Sequence, residues 1–253
     1  MAMRLTILGS SGGYSGPENP TSGFLLKAGG ARFWIDAGHG TFSALQRLVD
    51  YTRLDAIFVS HVHADHCVDL YALNVALRFH ARGVLRLGLH CPPEVWERVP
   101  LLLGDTPEAQ DGFRKTFDHH PVLAGESVEV AGVRVSFQRT DHPNYCLAMR
   151  FESEDGVLTY SADTGPGFDL AGFARGSNLL LCEATYQEGK VGGPVHLSAR
   201  QAAETAVRAG VRDLVLTHVW PEFDPRVSVE EARAAAGSIR VEWAAPGSTF
   251  EVR

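Results

Sequence analysis

The sequence predicts an α+β fold in which two β-sheets pack face to face and helices cover their outer surfaces. Three observations carry that prediction. Short apolar runs recur in pairs across glycine-containing turns, intervening segments repeat their apolar residues at helical spacing, and capping signals punctuate the second half. Residues 4–8 read as the first strand, and 23–27 with 32–36 as a hairpin across Gly29-Gly30. A helix over 41–49 follows. The β-branched run 54–59 reads as a buried strand, and residues 68–82 place Leu70, Leu73, Val75, Leu77 and Phe79 at helical spacing. A strand over 85–89 precedes a segment, 92–103, that begins as a helix with Pro93 suited to its first turn. Two hairpins open the second half: 127–130 with 133–138 across Ala131-Gly132, then 146–151 with 157–161 across Glu154-Asp155-Gly156. Residues 179–182 and 214–217 are further core strands. Ser198-Ala199-Arg200-Gln201 is a capping box whose helix stops at Gly210, and Ser228-Val229-Glu230-Glu231 is expected to open the last helix in the same way.

Composition narrows the class. The 253 residues spread their apolar content evenly, with no long Pro, Gly or Ser linker, so one domain over 1–253 is expected. No stretch approaches the roughly 18 uninterrupted apolar residues of a membrane span, and residues 1–11 lack a charged-then-apolar leader pattern. A cytoplasmic protein is the expectation. The net charge of −7, with only three lysines, argues against an extended nucleic-acid footprint. Cys67, Cys91, Cys146 and Cys182 show no CxxC spacing and read as reduced, buried residues rather than a disulfide frame.

The most informative segment is His61-Val62-His63-Ala64-Asp65-His66, directly after the strand 54–59. It places three imidazoles and a carboxylate, the ligand types of a zinc-like ion, on a strand-to-helix turn. Two residues apart in extended chain, His61 and His63 point to one side, whereas Asp65 and His66 enter the helix and diverge. One short loop cannot aim all four at a single point, so two metal ions are expected. Cys67 and Cys146 lie close in sequence to candidate ligands and are further possible contacts.

Residues 60–66 resemble the signature of the metallo-β-lactamase superfamily of binuclear metal hydrolases, and the rest of the chain is similar in order. Asp36 in Ile35-Asp36-Ala37-Gly38, His142 in Thr140-Asp141-His142-Pro143, Asp163 in Ser161-Ala162-Asp163-Thr164 and His218 after Leu216-Thr217 fall where that family has its other motif residues. The resemblance implies a four-layer αββα sandwich with the site at one sheet edge. It further implies that His61, His63 and His142 hold one divalent metal, that Asp65, His66 and His218 hold the second, and that Asp163 bridges them. Zinc is the expected metal, and manganese or iron also suits the set. Asp36, at a strand end before Ala-Gly, is expected to orient a ligand imidazole or a turn rather than bind metal.

Within the superfamily, Glu183-Ala184-Thr185 and His196-Leu197-Ser198 resemble elements of the ribonuclease Z-like phosphodiesterase branch. That resemblance implies His196 as general acid, Glu183 as its partner, and Asp65 or Asp163 as acceptor for the proton of a water held between the metals. The chain departs from the tRNA-processing members in having no visible Gly- and Pro-rich arm, and looks more like the compact cyclic-nucleotide phosphodiesterase-like members. The expected substrate is a small phosphodiester such as a cyclic nucleotide, with no membrane partner and homodimer formation left open. The alternatives are RNA 3′ processing, hydrolysis of an ester, thioester or lactam, an iron-dependent oxidoreductase, and a non-catalytic metal-binding protein. Residues 9–13 offer either backbone amides to substrate or a flexible turn, His39 reads as a loop residue, and His119 and His120 as surface residues in a polar connection.

Overall fold

Strand alternation dictates the layering. In β3 (Ala31–Ile35), Phe33 and Ile35 join one buried cluster and Trp34 another, so this strand needs cover on both faces. The computed structural model, which describes residues 2–190 and 194–253, supplies that cover with two seven-stranded sheets. The first sheet runs β14-β1-β2-β3-β4-β5-β6, from β1 (Met3–Gly9), β2 (Gly23–Ala28), β4 (Ala56–Phe58), β5 (Leu87–Cys91), β6 (Phe117–Pro121) and β14 (Thr249–Val252) around β3. The second runs β13-β12-β11-β10-β9-β8-β7, from β7 (Ser127–Val130), β8 (Val133–Arg139), β9 (Leu147–Ser153), β10 (Gly156–Tyr160), β11 (Leu179–Glu183), β12 (Asp213–Thr217) and β13 (Arg240–Trp243).

Three buried clusters define four layers. Between the sheets, Phe33, Phe58 and Phe151 make edge-on contacts, with centroids 5.6 Å apart for Phe33–Phe58 and 5.4 Å for Phe58–Phe151. Outside the first sheet, Trp34 and Ile57 pack under α1 (Thr41–Gln46), α2 (Ala64–Cys67), α3 (Asp69–Arg78), α4 (Pro93–Arg98) and α5 (Pro107–Arg114). Outside the second, Leu180 and Leu214 pack under α6 (Leu170–Phe173), α7 (Ala199–Ala209) and α8 (Pro225–Ala235). Small residues on α7, Ala199, Ala202, Ala203 and Ala206, bring that helix close to the sheet. This is the αββα sandwich of the metallo-β-lactamase fold. No helix among the described residues is long and apolar enough to cross a membrane.

Several elements differ from their sequence expectation. The helix expected over 68–82 ends at Arg78 and is preceded by the separate turn α2, while that expected over 41–49 ends at Gln46. The last helix begins at Pro225 rather than Ser228. Asp224 accepts the Arg226 amide and Pro225 presets the first turn, whereas Ser228 is fully buried and accepts a hydrogen bond from Gln187 Nε2 at 3.1 Å. His119 and His120 lie in β6, paired in register with β5, not in a connection. His119 is half-buried and stacks on Trp96 at 4.4 Å, and His120, exposed as expected, stacks on His90 at 4.5 Å. Their polarity concealed an edge strand.

Candidate metal centre

The site forms where strands end along one edge of the sandwich. Strand β3 leads into Asp36, β4 into the 60–66 loop, β8 into His142, β10 into Asp163, β11 into Glu183 and β12 into His218. Asp36, Ala162 and His218 all take left-handed backbone conformations, with φ of 52°, 50° and 56°. For residues with a Cβ this is strained, and its concentration at three of these strand ends marks a place where side-chain aim outweighs backbone comfort.

The side chains expected as ligands converge. His61 Nε2 and His142 Nε2 lie 3.0 and 3.2 Å from His63 Nδ1, and His61 Nε2 lies 3.6 Å from Asp163 Oδ2. On the other side, His66 Nε2 and His218 Nε2 lie 3.4 and 3.2 Å from Asp65 Oδ2. Asp163 reaches this group too, with Oδ1 3.2 Å from His66 Nε2 and Oδ2 3.5 Å from His218 Nε2. Three donor sets capable of holding a metal result: His61, His63, His142 and Asp163; Asp65, His66 and His218; and Asp163, His196 and His218, the last bringing His196 within reach of the same centre. Tetrahedral coordination with bonds near 2.0–2.1 Å sets donors about 3.3 Å apart, so these separations fit first-row dications. His66 Nε2 and Asp163 Oδ1 are also buried without a hydrogen-bond partner, an arrangement that a cation between them would relieve.

Electrostatics point the same way. Burial opposes a charged His66, yet the carboxylates of Asp163, Asp65 and Asp36 outweigh it and raise the imidazole well above its ordinary value. Burial, and then the charge of His66, push His61 well below it. Burial works against the ionised forms of Asp65 and Asp163, but the surrounding histidines hold both carboxyls far below the usual range. The cluster thus attracts positive charge: it keeps the His61 nitrogen neutral and the Asp65 and Asp163 oxygens ionised, while His66 holds a proton that a cation would displace.

A supporting layer fixes these groups. His66 Nδ1 donates to Asp36 Oδ2 at 2.7 Å, the orienting contact expected of Asp36. Asp36 also accepts from the Ser60 amide and hydroxyl and, at 2.7 Å, from the Tyr160 hydroxyl. The Gly13 amide donates to Asp65 Oδ2 at 2.9 Å, and the backbone of Gly12 lies against His218. The loop expected either to face substrate or to flex therefore braces two members of the cluster. Thr185 links Glu183 Oε2 at 2.9 Å to His218 Nδ1 at 2.8 Å. The roles of Tyr160, Thr185 and Gly13 escaped sequence reasoning. The sequence signal for Tyr160 is its place three residues before Asp163, and for Thr185 its membership in the Glu183-Ala184-Thr185 element.

His196 sits over the same centre, with its ring 5.5 Å from that of His142 and 5.2 Å from that of His218. Its Nδ1 bonds Glu183 Oε1 at 2.9 Å. Glu183 is fully buried and also accepts the amides of Thr164 and Leu197. Burial disfavours the His196 imidazolium, but the charge and hydrogen bond of Glu183 prevail and push it up to about 9. Cys67 and Cys146 stay apart, donating to the carbonyls of Val62 and Asp163, and neither belongs to a described donor set. His39 is an exposed loop residue bonded to Ser15.

Comparison with known proteins shows the family. An uncharacterized protein of Mycobacterium tuberculosis is 35% identical over 257 residues, covering 100% of this chain and 93% of the relative. A ribonuclease Z of a Mycobacterium species is 30% identical over 261 residues, covering 92% and 90%. The crystal structure of the metallo-beta-lactamase fold protein YhfI from Bacillus subtilis superposes with a TM-score of 0.88 at 25% identity, over 99% of this chain and 100% of that one. A family model described as a beta-lactamase superfamily domain matches residues 31–219. With its fold, its motif order and its converged histidines and aspartates, the chain belongs to the metallo-β-lactamase superfamily.

Proposed function

We propose that this metallo-hydrolase cleaves a small phosphodiester, a 3′,5′-cyclic nucleotide being the fitting case. The observation that carries the reading is the His196–Glu183 pair, an imidazole held beside the donor sets at 2.9 Å from a buried carboxylate that favours its protonated form. An alkoxide is a poor leaving group, and a positioned acid addresses that difficulty directly. The likeness to a protein named ribonuclease Z supports phosphodiester chemistry, while a net charge of −7 disfavours a large RNA substrate.

Two dications, zinc being the expected metal, would when bound supply Lewis-acid polarisation of the phosphate and activation of a water. The residues to hold them are His61, His63 and His142 for one, Asp65, His66 and His218 for the other, and Asp163 for both. Asp36 and Thr185 fix the rings of His66 and His218 from behind, so both Nε2 atoms face the centre. Asp65, held ionised, accepts a hydrogen bond from the attacking water. His196, anchored through Nδ1, gives its other ring proton to the leaving oxygen.

The test is metal analysis combined with turnover of cyclic nucleotides, bis(p-nitrophenyl) phosphate, a thioester and a precursor RNA. Phosphodiester turnover is expected to fall about 10²- to 10⁴-fold in His196→Ala with metal content unchanged. Undiminished turnover in that variant, or preference for the thioester, overturns the reading. Preferential cleavage of the RNA favours the processing-nuclease alternative.

A further inference from the structure

We infer that an aromatic cavity beside the cluster, walled by Trp220, Phe223 and Trp243, is the subsite for the planar base of a nucleotide; the inference rests on the phosphodiester reading above. Its location follows from strand order. Strand β13 pairs in parallel with β12, with Trp243 opposite Leu216, so Trp243 closes the neighbouring strand on the edge where β12 delivers His218. Trp220 follows His218 by two residues. The cavity therefore lies one strand outward from a proposed ligand.

Contact with the centre is short. The Gly13 amide bonds Asp65 Oδ2 at 2.9 Å, and a Cβ added at Gly13, whose φ is +73°, would meet the Trp220 ring at 3.3 Å. A side chain there would have to push the ring back by a few tenths of an ångström and hold a left-handed backbone, which glycine adopts freely. The exposed Gly13 backbone is what separates Trp220 from Asp65, so a ligand with its phosphate at the centre would cross the loop there to bring its ring to the cavity.

The lining chemistry selects the ring. The cavity, about 410 Å³, is lined by the three aromatic residues and by prolines such as Pro17, Pro221 and Pro246, with Glu18 and Asn19 among its polar lining. That volume falls within the roughly 300–1,000 Å³ of small-molecule sites. Flat apolar walls favour a planar partner, and aromatic faces stack on any nucleobase. At the rim, the half-exposed Tyr14 meets Trp220 edge-on at 5.8 Å, and Lys190 Nζ lies 4.9 Å from the centre of the Phe223 ring. A larger cavity of about 780 Å³ lies at the opposite ends of β12 and β13, and its Arg240, Asp213 and Glu242 pair with one another, so it offers neither stacking walls nor access to the centre.

The test compares binding of adenosine 5′-monophosphate and ribose 5-phosphate to the metal-loaded protein by equilibrium dialysis. The nucleotide should bind about 5- to 150-fold more tightly, the factor that one stacked base supplies. Trp220→Ala should bring it down toward ribose 5-phosphate at unchanged metal content, and Trp220→Phe should keep most of the preference. Phe223→Ala, on a wall that does not touch the Gly13 loop, should weaken it independently. Equal affinities in the unaltered protein, or a preference intact in both alanine variants, overturn the subsite. Base preference without phosphodiester turnover overturns the phosphodiesterase reading but retains the subsite, and turnover without base preference does the reverse.

Discussion

His66 Nδ1 and Asp36 Oδ2 lie 2.7 Å apart with both side chains fully buried, and Asp36 reaches that position in a left-handed backbone conformation. The carboxylate spends its remaining capacity on Ser60 and Tyr160, so it ties β3 to the 60–66 loop and to β10 at once. Removing it should cost more than one hydrogen bond. Asp36→Asn keeps an acceptor but loses the charge behind His66, and metal affinity should drop about 10- to 100-fold. Asp36→Ala leaves the Ser60 amide and the Tyr160 hydroxyl unpartnered as well, and should further destabilise the fold by about 1–3 kcal/mol for each orphaned group. Competition with a chromophoric chelator and thermal unfolding read the two effects separately. Wild-type metal affinity in both variants would show that the contact is incidental.

The Glu183 carboxylate predicts a pH dependence. His196 is pushed up to about 9 against the effect of burial, and bound dications would bring that value down. As the acid, His196 must be protonated, so turnover is present below its pKa and is lost as pH rises through it. Glu183→Gln removes the main raising influence and should shift the alkaline limb of kcat toward acid. The same sign governs stability: the Glu183–His196 contribution is complete below the unfolded histidine pKa of about 6.5 and fades as pH climbs toward 9. Profiles of kcat from about pH 6 to pH 10 check this, and coincident alkaline limbs in the two proteins would remove His196 from the acid role.

Why some of this was legible and some not has a physical answer. The 60–66 motif concentrates four polar groups in six residues, and paired apolar runs with glycine turns reveal hairpins through purely local rules. The supporting contacts are different in kind. Gly13 with Asp65, Tyr160 with Asp36 and Thr185 with His218 join residues 52, 124 and 33 positions apart, so no local pattern announces them. Strand β6 was hidden because Phe117-Asp118-His119-His120-Pro121 is an edge strand with a polar exterior, where β propensity is weakest as a guide. At the last helix, two start signals competed within five residues, and Asp224-Pro225 prevailed over Ser228 because Ser228 is drawn into a buried contact with Gln187.

Gly38 shows how closely the backbone must approach this site. A Cβ there would lie 2.0 Å from the Asp65 carbonyl oxygen and 2.3 Å from Thr21 Oγ1. Neither distance is tolerable, and the carbonyl belongs to the turn that aims Asp65. Gly38→Ala should therefore displace that turn, lower metal content and destabilise the protein by about 1–3 kcal/mol, the usual penalty of overpacking. A purified Gly38→Ala protein with full metal content and an unchanged unfolding midpoint would contradict this placement.

The left-handed alanines separate strain that serves the site from strain that does not. Ala131 has φ of 50° and is followed by Gly132 at φ 80°, the turn joining β7 to β8, where its side chain is exposed. A left-handed Cβ costs about 1–2 kcal/mol, and Asn tolerates that conformation best among residues with side chains. Ala131→Asn should stabilise the protein by about 0.5–1 kcal/mol, raising the unfolding midpoint by roughly 1–4 °C, with activity unchanged. Ala162 carries the same strain, φ 50°, but is fully buried and directly precedes Asp163. Ala162→Gly relieves the strain yet frees the backbone that aims the Asp163 carboxylate, which lies 3.6 Å from His61 and 3.2 Å from His66, so any stability gained should come with weaker metal binding. Calorimetry of both variants, with and without chelator, distinguishes the cases: a chelator-dependent loss confined to Ala162→Gly is expected, and identical behaviour of the two would deny the strained conformation at residue 162 any role in the site.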